Sequence, residues 1–422
     1  MPMSPLTRAA VAASALALQM TAGVAAAKPL VTGPDSVKLL FAGGVDPGTG
    51  LLKGSPALSV QFPDGGQYNF IMDTGSAGMV VFGSGFAPPP GVTPLVTNAV
   101  QAYKSDNLEF TGDVYETILQ IGSPGHSVSA KVPVLYATSQ GCAVGASCPQ
   151  VSSLMFMGVG FGQAAVGNTN WFQLNTTERN PLFNITAING VPANPTSGWI
   201  MSSTGITVGL TDANIQAFDP AGLEILSTSA DGFNRGNAAV VATASGGGTP
   251  PAPSAFTGTV LVDSGVRYAM LQLETGSARP PTIPCPGDVS LVCTDAGTTL
   301  SIFLGNPAAP LVYQVISGVG GVPTAVPNNT AAPDFVNQLA ESDQPFWNTS
   351  YHFYNAYNYL FDAESGQVGY ANAAVTAAVP GPLSHAALAG FLAWSRRLRR
   401  RCATATACSP RSGATGSARL GG

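Results

Sequence analysis

Apolar and polar residues alternate along most of this chain in short runs of roughly four to eight residues, separated by clusters of Gly, Pro and Asn. Residues 57–62, Ala-Leu-Ser-Val-Gln-Phe, are the plainest example, and residues 114–121 and 206–210 read in the same way. A period of two places every second side chain on one face, so each run predicts a half-buried strand. Sustained apolar positions at helical spacing are absent. With 50 glycines and 34 prolines to form turns, the pattern predicts an all-β protein.

Two of the apolar runs end alike. Phe70-Ile71-Met72 leads into Asp73-Thr74-Gly75-Ser76, and Val260-Leu261-Val262 leads into Asp263-Ser264-Gly265. No other Asp-Ser/Thr-Gly triplet occurs in the chain. One such triplet is an ordinary turn. Two of them, each behind three apolar residues and separated by about the length of a lobe, point to a pair. An aspartate at the end of a buried strand presents its carboxyl from a low-dielectric floor, where an isolated charge is costly. Two carboxyls that share such a site repel each other, hold one proton between them and can polarise a water molecule, which is the chemistry of acid-assisted peptide hydrolysis.

The 422 residues can fill two cores, and a hydrophobic content of 45% with only 9% charged residues fits compact globules. Residues 1–27 combine Arg8, an apolar run and Ala25-Ala26-Ala27, the layout of a secretory signal peptide. Export permits disulfides, and the six cysteines fall in three close pairs, 142/148, 285/293 and 402/408. Local bridges Cys142–Cys148 and Cys285–Cys293 are expected, since no His/Cys cluster has the spacing of a zinc site. No metal and no cofactor are expected. The net charge of −5 conceals an asymmetry: residues 28–379 hold all 22 acidic residues and nine of the 17 basic ones. Such a core repels nucleic acid.

Residues 245–251, Ser-Gly-Gly-Gly-Thr-Pro-Pro, cannot pack a core and predict a surface loop or hinge. Beyond Asn372 a Pro-Gly-Pro motif, a short apolar run and an arginine cluster from Arg396 to Arg401 form a distinct tail, residues 379–422. The run is too short for a membrane span. The tail resembles the PEP-CTERM type of bacterial sorting signal, with glycine in place of the usual glutamate; the alternative is a basic, disordered C-terminus.

With the triplets in place, residues 36–372 resemble the pepsin-like aspartic proteases. Phe156-Met157-Gly158-Val159-Gly160-Phe161-Gly162 is similar to the hydrophobic-hydrophobic-Gly segment behind the first aspartate of that family. Asn180-Pro181-Leu182-Phe183 and Gly205-Ile206-Thr207-Val208-Gly209-Leu210 are similar to the end of its first lobe, and Tyr359-Leu360-Phe361-Asp362 with Gln367-Val368-Gly369-Tyr370-Ala371 to its closing strands. The resemblance implies a bilobal fold of two β-barrel-like lobes, residues 36–212 and 213–372, with the active-site cleft between them. It implies that Asp73 and Asp263 are catalytic, and that Thr74 and Ser264 tie the two loops together. Gly75 and Gly265 would let the loops approach, and Ser76 would hydrogen-bond the outer oxygen of Asp73. Tyr103 is the candidate flap tyrosine, although Lys104-Ser105-Asp106 replaces the family's Gly-Thr-Gly. Arg267 would lie at the edge of the cleft, lowering the pKa of the pair and favouring acidic substrate side chains.

Three departures from the family stand out. Val266 replaces the Ser or Thr that supports the second aspartate, Val80 replaces the tryptophan that braces the flap tyrosine, and Asn348-Thr349-Ser350 replaces the second hydrophobic-hydrophobic-Gly element. They leave two readings: an exported bacterial aspartic endopeptidase, expected as a monomer acting on polypeptides and held at the cell envelope if the tail anchors it, or a pepsin-fold protein that binds a peptide, glycan or enzyme without cleaving it. A surface β protein with no site is a third class, disfavoured because a buried acid pair is destabilising unless used. With three histidines in all, His126, His352 and His385, neither a triad nor a metal site is expected. The Gly158 to Gly162 run is too loose for a nucleotide loop. Glycosidase carboxylates are left open by composition, but the strand-ending triplets favour a protease.

Overall fold

Among the described residues the strand pattern of the sequence becomes two ten-stranded sheets, a six-stranded sheet and a two-stranded ribbon. The computed structural model describes residues 28–373 apart from 104–106, 146, 162–173, 175, 230–231 and 245–253. The signal-like residues 1–27, Lys104-Ser105-Asp106, the 245–251 loop and the 379–422 tail with Cys402 and Cys408 lie outside the described residues. The runs at 57–62, 114–121 and 206–210 fall on the strands Leu52–Gln61, Leu108–Ser123 and Gly205–Val208, the first two of which begin well before the expected starts.

Each large sheet is built around one of the Asp triplets, and the two are wired alike. In the first, Gln67–Asp73 pairs parallel with Leu154–Val159, which runs antiparallel to Ala77–Phe82, the strand just past the Asp loop. In the second, Ser254–Leu261 pairs parallel with Phe346–Asn348, which runs antiparallel to Ala269–Gln272. Outward from these lie Leu52–Gln61, Leu108–Ser123 and Val96–Tyr103 in the first sheet. Gly236–Ala244, Thr298–Leu304 and Leu311–Ser317 take the matching places in the second. The chain therefore repeats one topology twice, and the expected all-β, two-lobed architecture is the one observed.

Glycine is required where the first lobe closes around its Asp loop. A Cβ at Gly158 would lie 2.6 Å from Ala77 N, and one at Gly160 would lie 2.0 Å from the Thr74 carbonyl oxygen. No side chain fits there without moving the backbone that carries Asp73.

The six-stranded sheet joins the halves. Its order is Val37–Leu40, Gly205–Val208, Gly198–Ser202, Tyr357–Asp362, Gln367–Asn372 and Glu224–Ile225, so strands from both ends of the chain meet at the Gly198–Ser202 to Tyr357–Asp362 pairing. Above that seam Phe161 stacks on Phe361 with ring centres 4.0 Å apart, and Trp199 packs edge-on against Tyr359 and Phe361. A second tie is polar: the Asn355 amide accepts the Leu52 N–H at 2.6 Å and donates to the Leu52 carbonyl at 3.1 Å.

Both expected local disulfides are formed, Cys142–Cys148 and Cys285–Cys293, with Cα separations of 5.4 and 4.9 Å. The second joins the hairpin strands Thr282–Cys285 and Asp288–Thr294 and is buried beside Phe335. Replacing Cys285 and Cys293 together by serine is expected to lower the unfolding free energy by about 2–3 kcal/mol, read from denaturant midpoints at unchanged slope. A midpoint that does not move, or a non-reducing peptide map with another pairing, overturns this.

Candidate active site

The two Asp loops meet face to face at the junction of the lobes. Asp73 is the last residue of its strand, Asp263 lies two residues beyond its own, and both are buried. A Cβ on Gly75 would sit 2.7 Å from the Asp263 carboxyl, and one on Gly265 would sit 2.6 Å from Asp73 Oδ1. Only glycine leaves room for the opposing carboxylate. Each loop is held by the same short turn: the Gly75 N–H donates to Asp73 Oδ1 and the Gly265 N–H to Asp263 Oδ1, both at 2.7 Å.

Beneath the carboxyls the loops exchange hydrogen bonds in a near-symmetric set. The Thr74 N–H donates to Ser264 Oγ at 3.0 Å, and the Ser264 N–H donates to Thr74 Oγ1 at 2.9 Å. The hydroxyls pass their own protons across the seam, Thr74 Oγ1 to the Val262 carbonyl at 2.5 Å and Ser264 Oγ to the Met72 carbonyl at 2.7 Å. Tyr354, fully buried, adds a bond to the Val262 carbonyl at 3.2 Å and lies 3.1 Å from Thr74 Oγ1. The hydroxyls of Thr74, Ser264 and Tyr354 in this crossing all have partners, as buried polar groups require.

Burial raises the pKa of both carboxyls. Asp73 is pushed up to about 8, by burial first and then by the negative charge of Asp263, against opposition from Ser76 and the Gly75 N–H. Asp263 is also raised by burial, and is held back by Asn348, the Gly265 N–H, Asp73 and Arg235. The two groups therefore titrate as a pair and not independently.

Ser76 is buried beside Asp73 and its hydroxyl opposes the rise in that carboxyl's pKa, although it makes no hydrogen bond of ordinary geometry. Tyr103 ends the strand Val96–Tyr103 and packs against Phe156, ring centres 5.0 Å apart, and against Phe110. Burial and then the charge of Asp73 raise its phenol well above the ordinary value. Val80, in the position expected for a bracing tryptophan, is fully buried in the apolar cluster against which Tyr103 packs.

The loss of a donor expected from Val266 is made good from another strand: Asn348 Nδ2 donates to Asp263 Oδ2 at 2.6 Å. In sequence Asn348 stood as a departure from a glycine motif, and nothing local connects it to Asp263. Arg267 also differs from expectation. It is exposed, with Nε 3.9 Å from Asp334 Oδ2, and His352 Nε2 approaches the other oxygen of that carboxylate at 3.1 Å. The cation that acts on Asp263 is instead Arg235, largely buried, with its guanidinium 4.9 Å from the Phe346 ring centre. His126, at a turn, contacts the Lys38 carbonyl at 3.1 Å. Sequence reading also missed Glu224, whose carboxyl is buried at the edge of the six-stranded sheet and raised to about 7 by that burial despite two bonds from Asn237.

Among the described residues no group of three or more His, Cys, Asp or Glu is placed to hold a metal ion, and no helix is long and apolar enough to cross a membrane.

Fold and site together define a two-lobed all-β protein with an aspartate pair carried on crossed glycine loops. No protein-family model matches the chain, and no curated protein matches its sequence. Among solved structures, the aspartic proteinase from Irpex lacteus aligns over 82% of this chain and 98% of its own, with a TM-score of 0.48 and 14% identity.

Proposed function

We propose that this chain is an exported aspartic endopeptidase that hydrolyses peptide bonds with a water molecule activated between Asp73 and Asp263. The observation that carries the reading is the face-to-face approach of two buried carboxyls, so close that each opposing loop tolerates only glycine. With one proton on the pair, the ionised carboxylate takes a proton from water as the water oxygen bonds to the scissile carbonyl carbon. The neutral carboxyl gives its proton to the carbonyl oxygen, and a neutral diol forms. The first carboxyl then protonates the amide nitrogen, the C–N bond breaks, and a diol hydroxyl returns a proton to the second. The pair ends as it began.

The binding-module reading drew on the missing hydroxyl at Val266, and Asn348 answers that objection by supplying a donor to the same carboxylate. Two disulfides and a signal-like N-terminus support export, with residues 379–422 as the segment that would sort or anchor the chain in a bacterial envelope. Residues 36–212 and 213–372 are taken as the lobes of a monomer that binds polypeptide in the cleft between them, with Tyr103 closing over it.

Purified protein is expected to digest denatured casein fastest on the acid side of neutrality when assayed from about pH 2.5 to 7, and to be blocked by a statine-type inhibitor. A folded protein inactive across that range, yet still binding peptides in the cleft, overturns the reading in favour of a binding module.

A further inference from the structure

The two carboxyls are built into unequal surroundings. Asp263 accepts two short bonds from fixed donors, the Gly265 N–H on one oxygen and Asn348 Nδ2 on the other. Asp73 has the Gly75 N–H, while the Ser76 hydroxyl that opposes the rise in its pKa makes no bond to it of ordinary geometry. The difference arises at topologically equivalent positions. The residue paired in parallel register two places before the aspartate is Phe156 in the first lobe, opposite Ile71, and Asn348 in the second, opposite Leu261. Phe156 serves as packing for Tyr103, whereas Asn348 serves as a donor.

The asparagine is held in one orientation. The Ser350 N–H donates to its Oδ1 at 3.0 Å, which leaves the amide NH2 as the end aimed at Asp263. Ser350 reaches that position with φ 67° and ψ 169°, a region in which residues other than glycine are strained. A fully buried serine in such a conformation makes sense if its backbone N–H has a particular target. Of the other ionisable groups around the pair, the one that acts on its charge does so in the same sense. Arg235 lies on the Asp263 side, while Tyr354 beneath the loops and Tyr103 near Asp73 are kept neutral by burial and by the carboxylates.

We propose that Asn348 is a positioning residue that holds the negative charge of the pair on Asp263, so that Asp263 is the base that takes the proton from water and Asp73 the acid that protonates the carbonyl oxygen. The assignment of these two roles rests on the catalytic reading given above; the placement of the charge does not.

The test is therefore a titration that needs no hydrolysis. In full-length Asp73→Asn and Asp263→Asn proteins carrying ¹³C-labelled aspartate, the remaining carboxyl of the site is followed by NMR against pH. Asp263 is expected to titrate below Asp73. Adding Asn348→Leu to the Asp73→Asn protein should move the Asp263 midpoint up by about one pH unit or more, a tenfold rise in proton affinity, and adding Val266→Thr should bring it back. Asn348→Ser, too short to reach the carboxylate, serves if the leucine variant does not fold. In otherwise wild-type protein the same Asn348 substitution should shift the acid limb of kcat/KM to higher pH by a similar amount. A midpoint for Asp73 below that of Asp263, or an Asp263 midpoint unmoved by loss of the Asn348 amide, overturns the proposal. A chain that shows the expected titrations but cleaves no peptide keeps the charge placement and refutes only the protease.

Discussion

Asp73→Asn and Asp263→Asn are each expected to reduce peptide hydrolysis by roughly 10³-fold or more while leaving the fold intact, because each removes one of the two proton-transfer groups. Removing the Asp73 carboxyl should also change stability in a pH-dependent way. The folded pKa of Asp73 is raised above the ordinary carboxylate value, so the native state binds more protons than the unfolded chain between the two pKa values, and stability falls as pH rises through that window towards about 8. An asparagine at 73 has no proton to lose. Asp73→Asn is thus expected to melt a few degrees higher than wild type near pH 7, with the gain shrinking towards pH 4. Thermal unfolding of both proteins across that range checks this. Equal melting temperatures at every pH, or retained hydrolysis in either variant, would remove the shared-proton pair from the mechanism.

The second large effect is expected at the crossing below the carboxyls. Thr74→Val keeps the shape of the side chain but strands the buried Ser264 N–H, leaves the Val262 carbonyl with only the bond from Tyr354, and removes a contact of Tyr354. Leaving a buried donor unpaired costs about 1–3 kcal/mol and losing the bond to the Val262 carbonyl about 1 kcal/mol more, so the unfolding free energy should drop by about 2–4 kcal/mol, with kcat falling as the loops lose their fixed separation. Tyr354→Phe, which removes one outlying hydroxyl, should cost only about 1 kcal/mol. A urea titration that finds the two variants equally stable would mean that the hydroxyl crossing does not hold the lobes together.

Several elements were legible before any coordinates. The strands followed from period-two alternation, because a half-buried strand has to place its apolar side chains on one face. The two Asp loops followed from apolar runs that stop at an acid and a glycine, and the disulfides from cysteines too near in sequence to need any other partner. Tyr103 was singled out through the residues after it; it packs on Phe156 and Phe110, and residues 104–106 lie outside the described part of the chain.

What sequence alone determined was local: which segments become strands, which of them end in an acid, and which cysteines pair. These depend on side-chain period, turn chemistry and short loop closure, all written within a few neighbouring residues. The electrostatic character of the site was decided by tertiary structure. Asn348 reaches Asp263 because a parallel pairing brings Phe346–Asn348 beside Ser254–Leu261, and Arg235 acts on the same carboxylate from the start of another strand pair. Arg267, only four residues beyond Asp263 in the chain, turns to Asp334 instead. Charges and hydrogen bonds act through space over a few ångströms, and it is the register of distant strands that determines which groups come that close.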